Sequence, residues 1–581
     1  MDIQLDQPIT ISAERWERPY SESTSSVSLY TEEDFENSGT QTVADFLKTQ
    51  AVANIFTSGA YGKASTLSLR GTSNRHTLVI VDGVRTTDLT AIGGGSRLEF
   101  LSLENLESIE ILRGSQGVIY GAEAIGGVVK ITTKKNSKKS AQVSYGSFKD
   151  KRMALNLGHH QQENHFQFNG TFQDVEGISA RAERAGGSSP DGLKNINLRP
   201  SFTHSNPSRE FSINAFYQRS EFGFDDFSAE ANNEGIYESY WFNARYFEKS
   251  KELLNPEIHL DYRKVEREVI QRGSFPSTFL YDGNQLRAEI TNPVTLKRGD
   301  LNFIVLPGLT FEREESKNLG TSLGEGKERE RKAFFLNTRL SYQEVFFELG
   351  GREEDYSIGG DKGLYRIALG YKPFKGLTLK ASQATGFRVA SLYQSFSQYG
   401  NINLEPESSL SREVGLYAQY ENTFLDLSLF DLEYDNFIDY DSGNNRYENI
   451  GALENKGVEI ALEKRFKRGS IKASYNYLVS RNPVTRELAP RRAKKRANLV
   501  VNFSPLEKLS LTASGQYVGE RLETDKSRMP SYTLVNLAGS YRWDRTTVSL
   551  ALNNLFNRDY EEQRFLETPN FNYLLTLKQD F

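Results

Sequence analysis

Three segments of this sequence contain residue types that are common in active sites and metal sites, but the spacing of these residues matches no known catalytic or metal-binding motif. Residues 324–328 combine glycine with lysine, yet they lack the glycine spacing and the Ser/Thr of a phosphate-binding loop. Residues 113–117 are not a nucleophile elbow, because nothing separates the first glycine from the serine. His159, His160 and His165 fit no metal-ligand spacing on one strand, which favours a solvated polar face. These motifs therefore give no sign of an enzyme.

The composition narrows the class further. There is no cysteine, which excludes disulfide scaffolds, thiolate zinc sites and cysteine nucleophiles together. A net charge of −5 with both signs mixed gives no sign of a nucleic-acid partner. Mean hydropathy is −0.56, and no apolar run approaches the ~18 residues of a spanning helix. A membrane β-barrel is compatible with these numbers, because its strands expose only alternate residues to lipid and average out as polar.

The elements that must position any site fall into two parts, of which the first is mixed α/β. Residues 109–135 interleave glycines with apolar side chains between two short apolar runs, which predicts tight, packed turns between two strands. Upstream, residues 31–35 predict a capped helix start. Val43, Phe46 and Leu47 share one face of a second predicted helix.

Beyond a charged linker at 134–139, apolar and polar side chains alternate almost everywhere. The alternation is clearest at Phe166, Phe168 and Phe172, at Phe211, Ile213 and Tyr217, and at Val535, Leu537 and Tyr541. Such segments of ~10 residues are typical of a membrane barrel, and the length after residue 137 allows roughly twenty of them. A large soluble sandwich or propeller alternates similarly, although the absence of a blade-length repeat counts against the propeller. The terminal segment favours the barrel, because a soluble domain has no need of a last strand whose apolar face carries Phe571, Tyr573, Leu575, Leu577 and Phe581.

Several motifs together resemble the TonB-dependent outer-membrane transporters. In the first part these are residues 67–71, 78–83 and 109–135; in the second they are 385–390, 400–407, 411–415, 434–436, 456–459, 553–557 and 559–560. No histidine lies between 390 and 400, where the haem receptors of that family have one. The resemblance implies a membrane all-β fold, an antiparallel transmembrane β-barrel of about 22 strands with an N-terminal α/β plug domain inside its lumen.

The resemblance also implies the domain organisation and the location. We expect a mobile N-terminal segment at 1–26, a plug domain at 27–137 and the barrel at 138–581. The protein would be a monomer in the bacterial outer membrane, in contact with its lipid. Because the chain opens on a polar segment with no apolar stretch, we expect a mature chain without a signal peptide.

The N-terminal segment contains a short extended pattern that resembles a TonB box. Its residues are Pro8, Ile9, Thr10, Ile11, Ser12 and Ala13. Apolar and hydroxyl side chains alternate there, so the segment could pair with a foreign sheet edge. Six such residues alone favour an ordinary frayed terminus. With the resemblance, they predict a partner, the periplasmic domain of TonB with its inner-membrane energising complex.

Two polar, glycine-containing loops would form the ligand-binding apex of the plug. The resemblance assigns Ser58, Gly59, Ala60 and Tyr61 to the first loop, and Leu89, Thr90, Ala91, Ile92, Gly93, Gly94, Ser96 and Arg97 to the second. Together with residues 491–495, these loops are most similar to those of the cobalamin transporters within the family. We therefore expect import of a scarce, bulky ligand, either cobalamin or a related corrinoid, with a ferric siderophore as the alternative.

The same resemblance raises the question of calcium. Residues 177–179 and 190–192 lie where the cobalamin transporters carry calcium-binding loops. The acids nearby are Asp191, Asp225 and Asp226, whereas a calcium site needs about six oxygen ligands and is usually rich in carboxylates. The small number of acids counts against calcium, and we expect no other cofactor.

Two arginines of the plug, Arg70 and Arg113, each precede a glycine at motif positions where the family has paired arginines. Their partners in the family are barrel glutamates, matched here by Glu413 and Glu459. Arginine suits such a place, because its planar fork binds carboxylates bidentately and stays charged. The alternative is two solvated arginines beside turns. We expect the four charges to pair inside the barrel, since an unpaired buried charge is costly.

Two functions from other classes are alternatives. A passive porin or adhesin would need neither a TonB box nor a glycine-rich plug. An outer-membrane hydrolase would need a serine–histidine pair, and no histidine follows His259. The sequence therefore favours active, TonB-dependent import by a protein that is not an enzyme.

Overall fold

The N-terminal part of the chain lies inside a closed β-barrel. The computed structural model describes residues 10–11, 15, 18–59, 61–135, 138–226, 231–249, 253–273, 276–319 and 326–581. The barrel has 22 antiparallel strands, as predicted. In the described part of the chain, no helix has the length and apolar character needed to cross a membrane.

The plug is built from short elements. Its strands, with the two that precede it, are β1 (Thr10–Ile11), β2 (Arg18–Pro19), β3 (Ser26–Thr31), β4 (Ala53–Thr57), β5 (Ser65–Leu69), β6 (Thr77–Val81), β7 (Val84–Arg85), β8 (Leu106–Arg113) and β9 (Gly127–Thr133). Its helices are α1 (Glu32–Ser38), α2 (Val43–Lys48) and α3 (Gly117–Tyr120), with 3₁₀ turns at Tyr20–Glu22, Asn74–His76 and Leu98–Phe100. The main sheet has the order β3-β8-β9-β6-β7, and only the β6–β9 pairing is parallel.

Local sequence explains the plug helices. Thr31 and Asp34 form a capping box at the start of α1, where a helix start is predicted. In α2, the predicted apolar face of Val43, Phe46 and Leu47 is buried in the core beneath the sheet.

The glycine-rich segment connects β8 to β9, as predicted, but it also contains the single-turn helix α3. Val118, Ile119 and Tyr120 of this helix are buried, so packing stabilises a turn that the glycines alone would not favour. Gly127 has a φ of +150°, and a Cβ there would lie 2.1 Å from the Leu112 carbonyl oxygen. Only glycine allows this close approach of β9 to β8.

The barrel strands are long and paired in sequence order. They are β10 (Ser140–Gly146), β11 (Asp150–Gln161), β12 (Asn164–Val175), β13 (Leu193–Ser205), β14 (Arg209–Phe224), β15 (Asn233–Glu248), β16 (Glu257–Gln271), β17 (Ser277–Thr291), β18 (Val294–Arg298), β19 (Leu301–Leu319), β20 (Lys327–Tyr342), β21 (Val345–Tyr356), β22 (Gly360–Phe374), β23 (Leu377–Arg388), β24 (Glu407–Tyr420), β25 (Thr423–Asp441), β26 (Arg446–Phe466), β27 (Gly469–Arg481), β28 (Lys495–Leu506), β29 (Leu509–Val518), β32 (Tyr532–Trp543), β33 (Thr546–Asn553) and β34 (Asn572–Asp580). Loop strands β30 (Arg521–Leu522) and β31 (Arg528–Met529) pair with each other, and the remaining short elements are α4 (Leu392–Phe396) and 3₁₀ turns at Ser147–Lys149 and Glu183–Ala185. β18 continues β17 along β19, and β10 pairs with β34 to close the barrel.

The alternation predicted for the barrel decides which side chains face the plug. On β12, Phe166 points outward and is 48% exposed, whereas its neighbour Gln167 is buried against the plug.

The two ends of the barrel also differ: the β11–β12 turn takes two residues, but the β12–β13 loop spans 176–192. Outer-membrane barrels have short periplasmic turns and longer extracellular loops. We call the end where β10 begins and β34 ends the short-turn end, and the opposite end the long-loop end.

Candidate functional site

The structure brings together the four charged residues that the motifs pair, Arg70, Arg113, Glu413 and Glu459, which we call the plug anchor. Arg70 Nη1 donates to Glu413 Oε2 at 2.6 Å, and Arg70 Nη2 donates to Glu459 Oε2 at 2.9 Å. Arg113 Nη1 donates to the same Glu459 oxygen at 3.1 Å. No side chain of the four is more than 4% exposed. The anchor is thus a buried contact between the plug and strands β24 and β26.

Backbone turns aim both arginines at the barrel wall. Arg70 follows β5 with a φ of +50°, a left-handed conformation next to Gly71. Arg113 ends β8, and Gly114 after it has a φ of +80°. A Cβ on Gly114 would lie 3.1 Å from Arg70 Nη1, so this glycine makes room for the neighbouring guanidinium.

The electrostatics of the anchor keep its arginines charged. Burial alone would lower the pKa of Arg70, but the carboxylates of Glu413 and Glu459 raise it above its ordinary value. Burial also opposes the charge on Arg113, and Glu459 again raises the pKa. The Arg70 guanidinium lies over the Phe430 ring, with 4.5 Å to its centroid. This geometry can hold the plug in place.

Part of the predicted TonB box lies near the short-turn end. Thr10 and Ile11 form β1, which pairs antiparallel with β2 at Arg18 and Pro19. The other predicted residues of the box, and one residue of the first apex loop, lie outside the described residues: Pro8, Ile9, Ser12, Ala13 and Ala60.

A second set of ion pairs joins the N-terminal segment to the barrel. Arg15 pairs with Glu289, and its guanidinium lies 5.0 Å from the ring centroid of Tyr120. Arg18 Nη1 donates to Glu348 Oε1 at 2.5 Å. We call these two pairs the N-terminal tether. Residues 18–25, which the resemblance assigns to the N-terminal segment 1–26, also lie against the barrel wall, since Thr24 Oγ1 donates to Glu348 Oε2 at 2.6 Å and residues 23–25 are buried.

The second predicted apex loop lies at the long-loop end and is held through its backbone carbonyls. Arg388 Nη2 donates to the Gly93 oxygen at 3.1 Å, and Ser391 Oγ donates to the Ile92 oxygen at 2.5 Å. The Ile92 side chain is 50% exposed. Among the described residues of this loop, it is the one with an exposed side chain.

Other residues of this loop serve mainly to build it. Arg97 Nε donates to Asp88 Oδ2 at 3.2 Å, and its Nη1 donates to Glu99 Oε1 at 3.4 Å. The guanidinium also lies 5.7 Å from the ring centroid of Tyr237. The remaining members are buried or half-buried: Leu89, Thr90, Ala91, Gly93, Gly94 and Ser96. Arg97 is thus engaged within the plug and with the barrel wall.

The first predicted apex loop is packed against barrel loops. Ser58 Oγ accepts a hydrogen bond from Gln563 Nε2 at 3.1 Å. Gly59 has a φ of +116°, and a Cβ there would lie 3.2 Å from Ala180 Cα. Tyr61 is half-buried in a hydrophobic cluster of the plug and the barrel wall. The described members of this loop therefore contact the barrel extensively.

A buried bridge between the plug and the barrel has no counterpart among the predicted site residues. His76 Nε2 lies 2.8 Å from Glu407 Oε2, and Arg388 Nη1 donates to the same oxygen at 3.1 Å. His76 Nδ1 accepts from the Ser73 N–H, which assigns the hydrogen to Nε2, and burial lowers the pKa of His76. Arg388 and Glu407 belong to the barrel motifs quoted above, but a single histidine in a loop carries no signal of its partner.

Four tyrosines at the long-loop end, Tyr393, Tyr399, Tyr440 and Tyr447, form a further cluster that we call the mouth tyrosines. The Tyr440 ring centroid lies 5.6 Å from those of both Tyr399 and Tyr447, and Tyr393 lies 6.3 Å from Tyr447. The cluster joins the β23–β24 loop to the β25–β26 hairpin. Sequence spacing did not predict it, because its members come from one loop and from a separate hairpin.

The three acids considered for calcium, Asp191, Asp225 and Asp226, lie in the β12–β13 and β14–β15 loops. Asp191 Oδ2 accepts from the Ala180 N–H at 2.7 Å, and Asp225 Oδ1 accepts from the Ala231 N–H at 2.9 Å. Asp226 Oδ1 accepts from a side-chain amide at 2.8 Å. Within the described ranges, these three carboxylates do not come within reach of one shared ion. Burial and the neighbouring Asp225 carboxylate raise the pKa of Asp191 to about 6, so two of the three acids lie side by side.

Comparison with known proteins matches both parts of the chain. Residues 140–555 match the family model described as TonB dependent receptor-like, beta-barrel, and residues 19–128 match the TonB-dependent Receptor Plug Domain. The vitamin B12 transporter BtuB of Vibrio vulnificus is 26% identical, over 96% of this chain and 92% of that protein. BtuB of Vibrio cholerae is also 26% identical, over 100% of this chain and 96% of that protein.

Solved structures share the fold at lower identity. The siderophore receptor PirA from Acinetobacter baumannii superposes with a TM-score of 0.81 at 17% identity, covering 96% of this chain and 98% of that one. A mutant of the ferric enterobactin receptor PfeA from Pseudomonas aeruginosa superposes with a TM-score of 0.82 at 16% identity, covering 96% and 99%. These similarities establish the fold that the two receptors share with this chain.

Proposed function

Because the chain belongs to the TonB-dependent receptor family, we propose that it imports cobalamin or a related corrinoid across a bacterial outer membrane. The observation that carries the choice of ligand is the similarity to the vitamin B12 transporters of two Vibrio species, which extends over nearly the whole chain. The energy would come from TonB, through its periplasmic domain. The protein itself would make and break no covalent bond.

The ligand would bind between the plug apex and the loops of the long-loop end. Ile92 offers an exposed apolar contact on the plug side. The mouth tyrosines offer aromatic faces and hydroxyl groups on the barrel side. Rings of this kind bury a large contact area while their hydroxyls stay available for hydrogen bonds. The first apex loop would act indirectly, by setting the position of the barrel loops against which it packs.

Energy coupling would act on residues 8–13, of which Thr10 and Ile11 lie near the short-turn end. Thr10 and Ile11 already pair as a strand with Arg18 and Pro19. A two-residue pairing offers few hydrogen bonds, so an edge strand of TonB could replace it by strand addition. Force on this segment would then reach the N-terminal tether before it reaches the plug sheet, because Arg15 and Arg18 precede β3 in the chain.

Ligand binding can be tested by isothermal titration of the purified barrel with cobalamin and with several ferric siderophores. Calorimetry is preferable to tryptophan fluorescence, because the two described tryptophans, Trp241 and Trp543, lie in the wall and at the short-turn end. We expect saturable binding of cobalamin. Ile92→Asp should weaken it by about tenfold or more, equivalent to about 1.4 kcal/mol. Leu254→Asp, a control in an exposed position at the short-turn end, should leave it unchanged.

A ferric siderophore is the second candidate ligand. The mouth tyrosines favour it, since phenol hydroxyls can donate to the oxygen-rich shell of such a complex. Saturable binding of a siderophore without any binding of cobalamin would replace the first proposal with this one. An absence of binding to every compound tested would contradict both.

A further inference from the structure

The plug meets the wall of strands β12 to β15 mainly through uncharged side chains. Between the rims of these four strands, all of whose residues are described, Arg199 is the one charged side chain that faces inward. Residues 98–106 of the plug lie against this wall. We call the contact between residues 98–106 and β12 to β15 the amide seam. Its wall includes the amide and hydroxyl side chains of Asn169, Asn195, Asn197, Gln218, Ser220 and Ser239.

The hydrogen bonds across the amide seam join neutral groups. Asn105 Nδ2 donates to Asn169 Oδ1 at 2.6 Å. Asn195 Nδ2 and Asn197 Nδ2 both donate to the Phe100 carbonyl, at 3.0 and 3.3 Å. A hydrogen bond between neutral groups adds little net free energy, because both partners can bind water instead. Each of these bonds can therefore be exchanged without leaving a buried charge.

The other contacts across the seam are weakly directional. Arg199 Nη1 lies 3.9 Å from Asp82 Oδ2 of the plug, beyond hydrogen-bonding distance. The Arg199 guanidinium also lies 5.2 Å from the ring centroid of Phe216, so it has a second partner within the wall. Phe216 and Trp241 pack with the apolar core of the plug, and apolar contact has no preferred direction.

Two neighbouring cavities lie in the amide seam. The first, of about 30 Å³, lies between Leu101 and Glu104 of the plug and Asn169 and Asn197 of the wall. The second, of about 20 Å³, shares Leu101 and extends toward the long-loop end as far as Arg97 of the second apex loop. Each has room for at least one water molecule. Asn197 Oδ1 accepts no hydrogen bond from the described part of the chain. The seam is thus polar and incompletely packed below the apex loop.

Strands β22 to β26, which lie opposite the seam in the order of the 22 strands, hold the plug by charge. They carry Glu413 and Glu459 of the plug anchor. Separation at that wall would leave two buried carboxylates without their arginines, which is costly. Separation at the amide seam exposes amides and hydroxyls that water or a polar ligand can satisfy. The plug should therefore open at the seam and stay attached opposite it.

We propose that the ligand passes the plug along the amide seam, which accepts a large ligand of no net charge whose rim carries amide groups, as that of a corrinoid does. The inference rests on the proposed function and deepens it. Residues 98–106 separate from β12 to β15 while the plug stays docked on β22 to β26. Wall amides both donate and accept, so their hydrogen bonds to the plug are replaced by hydrogen bonds to the amides of the ligand.

Opening of the seam is tested without ligand, by single cysteines in a chain that has none. Asn197→Cys places a thiol in the seam, and Ser409→Cys in β24 is the matched control, because the two native residues are 8% and 7% exposed. The purified full-length protein is treated with an uncharged methanethiosulfonate reagent, and mass spectrometry follows the labelling. We expect Asn197→Cys to react about tenfold faster, because local opening governs access to a buried thiol. Equal rates, or a faster reaction of Ser409→Cys, would overturn the proposal.

Cross-linking tests whether the seam is the route. Asn105→Cys with Asn169→Cys joins the plug to the wall across the seam. Val118→Cys with Leu364→Cys is the control, since these residues share an apolar cluster between α3 and the opposite wall. Each pair is linked in intact cells by a bis-methanethiosulfonate reagent with a short spacer. The seam link should lower uptake of radiolabelled cobalamin about tenfold or more, reversibly by reductant, and the control link less than about twofold, because only the first blocks the opening motion.

Equal loss of uptake with both links would show that the whole plug must leave its place, and unchanged uptake with the seam link would place the route elsewhere. Either result would overturn the proposal. If Asn105→Cys with Asn169→Cys does not fold, Glu104→Cys with Gln142→Cys replaces it, because these side chains also touch, at 2.7 Å. Calorimetric titration with cobalamin stays separate. If cobalamin does not bind, the ligand assignment fails, while the rates of the single cysteines still decide whether the seam opens.

Discussion

The plug anchor and the N-terminal tether use the same chemistry in two different ways. Both join arginines of the plug side to glutamates of the barrel wall. In the anchor, Arg70 and Arg113 belong to a folded sheet and its turns, and Arg70 is completely buried. In the tether, Arg15 and Arg18 lie in a segment whose regular structure is a two-residue strand pair. The anchor arginines are therefore held in place by folded elements of the plug, whereas the tether arginines depend on a two-residue strand pair and on the contact of Arg15 with the Tyr120 ring.

The barrel wall also differs at the two places. The tether glutamates have wall cations of their own, since Arg287 Nη2 lies 2.7 Å from Glu289 Oε2 and Arg339 Nη1 lies 3.0 Å from Glu348 Oε1. Around the anchor, the described residues include no barrel arginine or lysine in an ion pair with Glu413 or Glu459.

This difference shows which contact can open at low cost. Departure of the tether arginines leaves glutamates that are still neutralised by the wall. Departure of the anchor arginines leaves buried glutamates with no ion-pair partner of their own, which is the costly case. A pull on the N-terminal segment should thus release the tether first and the plug sheet only afterwards. Four predictions address this comparison.

The largest effect is expected from Glu413→Ala with Glu459→Ala. This double change leaves Arg70 and Arg113 buried without a carboxylate partner. Removing one partner of a buried ion pair destabilises a protein by about 3 to 5 kcal/mol. The plug should loosen, which raises the ion conductance of the barrel in planar bilayers. Glu433→Ala with Glu454→Ala serves as the control, because these glutamates lie on the outer face of β25 and β26. If both double variants conduct equally, the anchor does not retain the plug.

A smaller effect is expected when all four anchor charges are removed. Changing Arg70, Arg113, Glu413 and Glu459 to methionine leaves no buried charge without a partner. Replacing a whole buried ion cluster with apolar side chains often leaves the stability of a protein unchanged. Conductance should therefore lie between that of the unmodified protein and that of the two-glutamate variant. A quadruple variant that conducts more than the two-glutamate variant would show that the charges act by attraction alone.

The tether variant Arg15→Met with Arg18→Met should leave conductance unchanged. Its wall glutamates keep Arg287 and Arg339, so only the N-terminal segment is released. A spin label at Thr10 should become more mobile by electron paramagnetic resonance. Conductance as high as in the two-glutamate anchor variant would abolish the distinction between the two clusters.

Ile11→Pro should leave the plug anchor intact and yet abolish uptake. Proline removes the N–H that strand pairing with TonB would use, and it also restricts the residue before it. Calorimetry should give a ligand affinity within about twofold of the unmodified protein, because the long-loop end is untouched. Asp6→Pro, outside residues 8–13, is the control and should transport normally. Equal loss of affinity and uptake in Ile11→Pro would place this segment in the folded core.

Much of the architecture was predictable from the sequence, because it follows from periodicities that each strand or helix carries by itself. The alternation in β12 around Phe166 predicted the outward face, and the cap at Thr31 predicted the start of α1. The residues of the plug anchor were predictable only through their motifs, since nothing local in Arg70 indicates which glutamate it meets. Their geometry is a property of the three-dimensional structure.

The remaining features of the sites were decided by tertiary structure alone. His76 meets Glu407, and the mouth tyrosines of the β23–β24 loop meet those of the β25–β26 hairpin, so these contacts join segments far apart in the chain. No spacing within one segment encodes such a meeting. Helix α3 forms among glycines because burial against the barrel outweighs local propensity. Periodic patterns in the sequence therefore determined the barrel strands and the plug core. Closure of the barrel around the plug decided which charged side chains are buried and which ion pairs can open.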